Sequence, residues 1–255
     1  MSTPQRTILA TGPGECCLKT VQHIGDPKGT QEELAGIQTY TSYPPSKHER
    51  YEHIVLFYTD VWGPFYINNK LIADFFASRG YLVVSPDSFE GDTADLHIGK
   101  PDFNMMEWGT AKRSRANELV PQWIDAVKSR YGSPTTKYVA VGYCFGGPDA
   151  LDSAGADWIT AAAFAHPAFL TEEQFLSVKK PLFLSCAETD WTFERSARHR
   201  AEEILTQIKA EYHIQVFSGV AHGFAVRGNP DVPHERWAKE TSASSIIAWF
   251  DRFCK

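Results

Sequence analysis

Short runs of consecutive apolar residues punctuate the chain at 54–58, 81–85, 138–141, 159–164, 182–186 and 214–217. Alternation would mark strands with one wet face; unbroken Val, Ile, Leu and Phe mark strands buried on both faces, as in parallel sheets. Between the runs the spacing changes to that of amphipathic helices. Leu71, Ile72, Phe75 and Phe76 give a helix over 68–78, closed by Gly80. Leu119, Val120, Trp123, Ile124, Ala126 and Val127 give one over 117–131. Further helices are predicted from the turn after 141 to about 153, over 193–209, and over 235–253, the last with Trp237, Ile246, Ile247, Trp249 and Phe250 on its apolar side. Strands alternating with helices predict an α/β fold, a mostly parallel, doubly wound sheet with helices on both faces. Residues 19–24 and 36–41 read as an N-terminal antiparallel hairpin joined by polar residues 25–33, after an irregular lead-in over 1–15. The segment 88–110 is too long for a simple strand-to-helix connection and is expected to border the site. No linker or internal repeat divides the sequence, so residues 1–255 read as one domain.

Composition narrows the partners. A net charge of -6 with no basic cluster argues against nucleic acid or an anionic membrane. The first nine residues lack the apolar core of a signal peptide, and no window reaches the length of a membrane span, so the cytosol is the expected compartment. Five cysteines (Cys16, Cys17, Cys144, Cys186, Cys254) lack framework spacing, and no Cys-x-x-Cys or His-x-x-x-His pair suggests zinc. Neither a metal nor a cofactor is expected. The Cys16–Cys17 pair reads as packing at the start of a strand. The expected partner is a small-molecule substrate, bound by a monomer or homodimer.

Candidate chemistry sits where the strand at 138–141 ends. Gly142-Tyr143-Cys144-Phe145-Gly146-Gly147 then leads into a helix. Strand, tight turn, helix with a nucleophile at the apex is the Gly-x-Ser-x-Gly elbow with sulfur for oxygen; an ordinary βα turn around a small buried cysteine is the bland alternative. An elbow requires an acid and then a histidine downstream, each past a later strand. Asp190 follows the strand at 182–186, and His222 follows the strand at 214–217. The order Cys144, Asp190, His222 fits such a triad, with Cys144 attacking a carbonyl, His222 moving protons and Asp190 orienting the imidazole. The oxyanion hole is expected from the backbone N–H groups of Phe145 and, in the loop after the first parallel strand, Val61.

With these residues in place, over roughly 15–253, the chain resembles the dienelactone hydrolase family in its eukaryotic, fungal-like branch. The likeness rests on the cysteine elbow, Asp190, Ala221-His222-Gly223-Phe224, Ser85-Pro86-Asp87 and Asp60-Val61-Trp62-Gly63. It implies an α/β-hydrolase fold and a cysteine hydrolase of esters or lactones, some members serving secondary metabolism. It also implies that Asp60 stands where bacterial members place a glutamate that holds the resting thiol. Bacterial members clamp the substrate carboxylate between two arginines. Gly91 stands near one of those positions and Arg227 one residue past the other, so a substrate other than dienelactone is expected.

The aromatics Trp62, Phe65, Tyr66, Phe89, Trp108, Tyr143, Trp191 and Phe224 predict an apolar or aromatic ligand, with about half of them lining the pocket and the rest in the core. Trp62, Phe89, Tyr143, Trp191, Phe224 and Arg227 are the candidate substrate contacts. Three functions fit: hydrolysis of a lactone, ester or thioester through acyl-Cys144; a non-hydrolytic cyclisation or dehydration on the same scaffold; or ligand binding without turnover.

Overall fold

The apolar runs form the middle of one eight-stranded sheet in the computed structural model, which describes residues 6–255 and leaves aside the side chain of Cys16. The strands are β1 (Thr30–Leu34), β2 (Ile37–Ser42), β3 (His53–Tyr58), β4 (Leu82–Pro86), β5 (Lys137–Tyr143), β6 (Ile159–Ala165), β7 (Leu182–Thr189) and β8 (Tyr212–Ala221), in the order β1-β2-β4-β3-β5-β6-β7-β8. β1, β2 and β4 pair antiparallel; every later pairing is parallel. In the middle, Val55 lies between Val83 and Val139.

The period of two along these strands builds a core on each face. Leu56, Ala140, Phe164 and Leu184 face α2 (Met105–Tyr131), α3 (Gly147–Ala154) and α5 (Arg195–Gln207). Val55, Phe57, Val139, Val141, Ala163 and Phe183 face α1 (Ile67–Ser78) and α7 (Pro233–Cys254). Between them in sequence lie two short helices, α4 (Glu172–Leu176) and α6 (Phe224–Arg227). A third, smaller apolar cluster sits at the carboxyl ends of the central strands and contains Cys17, Val61, Trp62, Phe89, Cys144 and Phe145. Open α/β sheets place their sites at that edge.

Three predicted elements change. The hairpin is β1–β2, closed by Ala35 and Gly36 at φ +52° and +77°, so its first strand is the polar run at 30–34 rather than 19–24. Thr-Gln-Glu-Glu-Leu pairs only with β2, and an edge strand exposed along most of its length carries no apolar signature. Residues 19–24 belong to no strand; His23 there is tied to Asn68 and to the Gly228 carbonyl. Second, α2 begins at Met105, twelve residues early, capped by Asn104, whose side chain accepts from the amides of Met106 and Glu107. Its first half packs on the small third cluster, not on the sheet, and so carries few apolar residues. Third, Trp237 leaves the apolar side of α7 and stands half exposed beside Phe217 and His234. Among the described residues no helix is long and apolar enough to cross a membrane.

Candidate active site

Cys144 takes the left-handed conformation, φ +49°, at the end of β5. A non-glycine residue there is strained, and the surroundings hold it. A Cβ on Gly142 would land in the Gly146 carbonyl, and one on Gly146 in the Tyr58 carbonyl of the next strand. Only glycine fits at either position. The Cys144 carbonyl accepts from the Ala168 amide at 2.9 Å. Below the turn, Arg113 of α2 binds both oxygens of Asp149 at 2.8 and 2.7 Å and donates to the Phe145 carbonyl at 3.1 Å. Both side chains are nearly buried, so this ion pair bolts α2 and α3 to the elbow.

The acid and the base come from neighbouring strand ends. Asp190 follows β7, and its Oδ1 accepts from the amides of Thr192 and Phe193 and from the Thr192 hydroxyl. The same oxygen lies 2.9 Å from His222 Nδ1, just past β8. Thr192 Oγ1 stands 3.0 Å from that nitrogen, a positioning group the sequence did not flag. Burial alone would lower the His222 pKa; the Asp190 charge and hydrogen bond outweigh it and push the imidazole up to about 10. A ring nitrogen of His222 and the sulfurs of Cys144 and Cys17 lie within 4.8 Å of one another. With Nδ1 turned to Asp190, Nε2 is the nitrogen facing the thiols.

Cys17 packs in the third apolar cluster, as expected, but beside the nucleophile rather than at the start of a strand. It lies in the turn Glu15–Leu18, with its Sγ 3.9 Å from Cys144 Sγ. Its carbonyl accepts from Trp62 Nε1 at 2.8 Å. The same lead-in runs along the site: Leu9 donates to the Leu170 carbonyl, Thr11 to that of Thr192. Gly14 lies against the Trp191 ring. Cys144 is fully buried beneath this strap.

The remaining candidates divide. Val61 and Phe145 sit with Cys144 in the third cluster, where Trp62 packs at a tilt on Tyr66 and Phe89 stacks on Trp108. Trp191 is part exposed, its ring 5.8 Å from His222. Tyr143 and Phe224, expected as substrate contacts, belong to the core on the α1/α7 face, as does Phe65. Tyr143 shares a strand face with Val139 and Val141 and packs on Phe57, pointing away from the thiol. Phe224 packs on Phe217 behind the histidine. Asp60, the expected thiol holder, is engaged elsewhere: Oδ1 accepts from Asn69 at 2.9 Å and from the Trp62 amide, and Oδ2 pairs with Arg227. That pair is buried, and Gly223 (φ +93°) makes room for the guanidinium. His166, just past β6, is fully buried 5.0 Å from the His222 ring, and neither nitrogen has a hydrogen-bond partner among the described residues. Burial holds its pKa well below the ordinary value, with His222 and Arg227 adding to the effect.

A doubly wound sheet with a cysteine elbow, an acid after β7 and a histidine after β8 defines the α/β-hydrolase class. Residues 37–254 match the model of the dienelactone hydrolase family. Hydrolase pyvD of Aspergillus violaceofuscus is 34% identical, covering 95% of this chain and 98% of its own. The protein named dienlactone hydrolase 1 of Gibberella moniliformis is 34% identical, covering 96% and 95%. A dienelactone hydrolase-like structure from Klebsiella pneumoniae superposes with a TM-score of 0.72 at 14% identity, over 89% of this chain and 98% of that one. The chain belongs to the dienelactone hydrolase family, and so to the hydrolases of carboxylic esters and lactones.

Proposed function

We propose that this protein is a cysteine hydrolase that cleaves a lactone, ester or thioester of a small apolar or aromatic acid through an acyl-Cys144 intermediate. The observation that carries this is the strained Cys144 thiol set within 4.8 Å of an imidazole that Asp190 holds protonated. An imidazolium beside a thiol favours the thiolate. The thiolate attacks the substrate carbonyl carbon, and the oxyanion takes hydrogen bonds from the amides of Val61 and Phe145. As the tetrahedral adduct collapses, the bond to the leaving oxygen or sulfur breaks and His222 gives that atom its proton. The neutral imidazole then takes a proton from water, whose oxygen attacks the acyl carbon and expels Cys144.

The walls support an apolar acyl group. Trp62, Phe89 and Trp108 gather beside the thiol, whereas Arg227 is neutralised by Asp60 and Gly91 supplies no second cation. Substrate reaches Cys144 when the strap over it lifts.

The test is a panel of activated esters, thioesters and lactones run with the wild type, Cys144→Ser and Cys144→Ala, with mass spectrometry for the adduct. An acyl group on the peptide carrying Cys144, and turnover lost in Cys144→Ala, are expected. Product formation that survives Cys144→Ala sinks the acyl-enzyme and favours a non-hydrolytic step.

A further inference from the structure

The site holds two thiols, and the hydrolytic cycle uses one. Cys17 Sγ lies 3.9 Å from Cys144 Sγ, both are buried, and both lie within 4.8 Å of His222. A disulfide requires sulfurs about 2.05 Å apart, so closing the gap needs a shift of about 2 Å. The two partners differ in freedom to make it. Cys144 is fixed by the elbow and its glycines. Cys17 rides on a four-residue turn whose amide bonds Gly14 and whose carbonyl takes the Trp62 indole. The movement therefore falls to the strap. The Arg227 guanidinium, paired with Asp60, also interacts electrostatically with both sulfurs.

We propose that Cys17 is a resolving cysteine that converts oxidised Cys144 into a reversible Cys17–Cys144 disulfide. This rests on the reading of Cys144 as the reactive thiol. The oxidant is a peroxide. The Cys144 thiolate attacks one peroxide oxygen, the O–O bond breaks, and the leaving oxygen takes the His222 proton and departs as water, giving the sulfenic acid and a neutral imidazole. The Cys17 sulfur then attacks the Cys144 sulfur. The S–O bond breaks, and its oxygen leaves as water with the proton Cys17 gives up, which His222 is placed to carry. In sum two thiols and one hydrogen peroxide become one disulfide and two waters. The crosslink protects the nucleophile from sulfinic acid, from which ordinary thiols do not return it.

The experiment treats wild type, Cys17→Ser and Cys16→Ser with a few equivalents of hydrogen peroxide in the presence of a chelator, so that trace metal is not read as oxidation. Ester hydrolysis is measured before and after dithiothreitol, and peptides are mapped by mass. In the wild type the peptides bearing residues 17 and 144 should join with the loss of two hydrogens, and most of the activity should return on reduction. Cys16→Ser should do the same. Cys17→Ser should regain less than about a tenth of its own starting activity and carry sulfinic acid at Cys144. Sulfinic acid at Cys144 of the wild type without a crosslink overturns the proposal. So does a crosslink that persists in Cys17→Ser, which would run through Cys16. The masses are read whether or not any ester turns over. A crosslink without hydrolysis therefore counts against the proposed function alone, and acyl-Cys144 turnover without a crosslink counts against this inference alone.

Discussion

At the scale of single residues, the arrangement at His222 makes the sharpest demands. Removing its carboxylate partner in Asp190→Asn is expected to cut hydrolysis by about ten-thousand-fold while leaving a measurable rate, since orientation is lost and the base is kept. The same pair leaves a thermodynamic trace. A pKa raised from 6.5 to about 10 means that the fold binds the proton more tightly than the unfolded chain does. Its stabilisation is therefore full below about pH 6.5 and is lost as the pH climbs toward 10. Thermal unfolding should show the wild-type Tm falling more steeply than that of Asp190→Asn across that window. Gly146→Ala forces a Cβ into the Tyr58 backbone and should cost about 1–3 kcal/mol in urea unfolding. These positions were legible because the elbow fixes residue types at fixed spacing. Thr192 and His166 were not, since a threonine two residues after an aspartate and a histidine at a strand end look like any loop.

Elements decide whether those residues stay in place. Arg113 on α2 grips Asp149 on α3 and the Phe145 carbonyl, all buried. Arg113→Met leaves a buried carboxylate without its partner and should cost about 3–5 kcal/mol in denaturant unfolding. The strap is held by backbone bonds along residues 7–11 and, next to the thiols, by the Trp62 indole. Trp62→Phe deletes the indole bond to the Cys17 carbonyl, worth about 1 kcal/mol, so iodoacetamide should label the Cys144 peptide roughly fivefold faster. An unchanged labelling rate would mean that the strap is held by something else. From the sequence the back half of α2 was legible and the lead-in read as irregular, which it is over residues 6–14. The front half of α2 shows no helical stripe because loops, not a sheet, lie against it. The lead-in looked irregular because its order comes from bonds to residues 169–172 and 192, and backbone bonds of that kind leave no residue pattern.

For the whole molecule, the sheet was legible in its parallel part and illegible at one edge. The strands from β3 to β7 are sandwiched by helices, so their sequences are uniformly apolar and announce themselves. β1 is wet and polar, and nothing in it separates strand from loop. The closing helix α7 completes one of the two cores, and Phe250→Ala, at a fully buried position, should cost about 3–5 kcal/mol by the same unfolding measurement. The described lead-in and the last two residues lie at opposite ends of the sheet. Residues 7–17 cross the edge that carries the thiols, whereas Cys254 and Lys255 bond His53 and Arg79 at the far edge, where β3 begins. An affinity handle or surface anchor at the front of the chain would therefore tug on the roof of the reaction chamber. One fixed behind residue 255 leaves that roof free to swing, so an immobilised catalyst is best tethered by its tail.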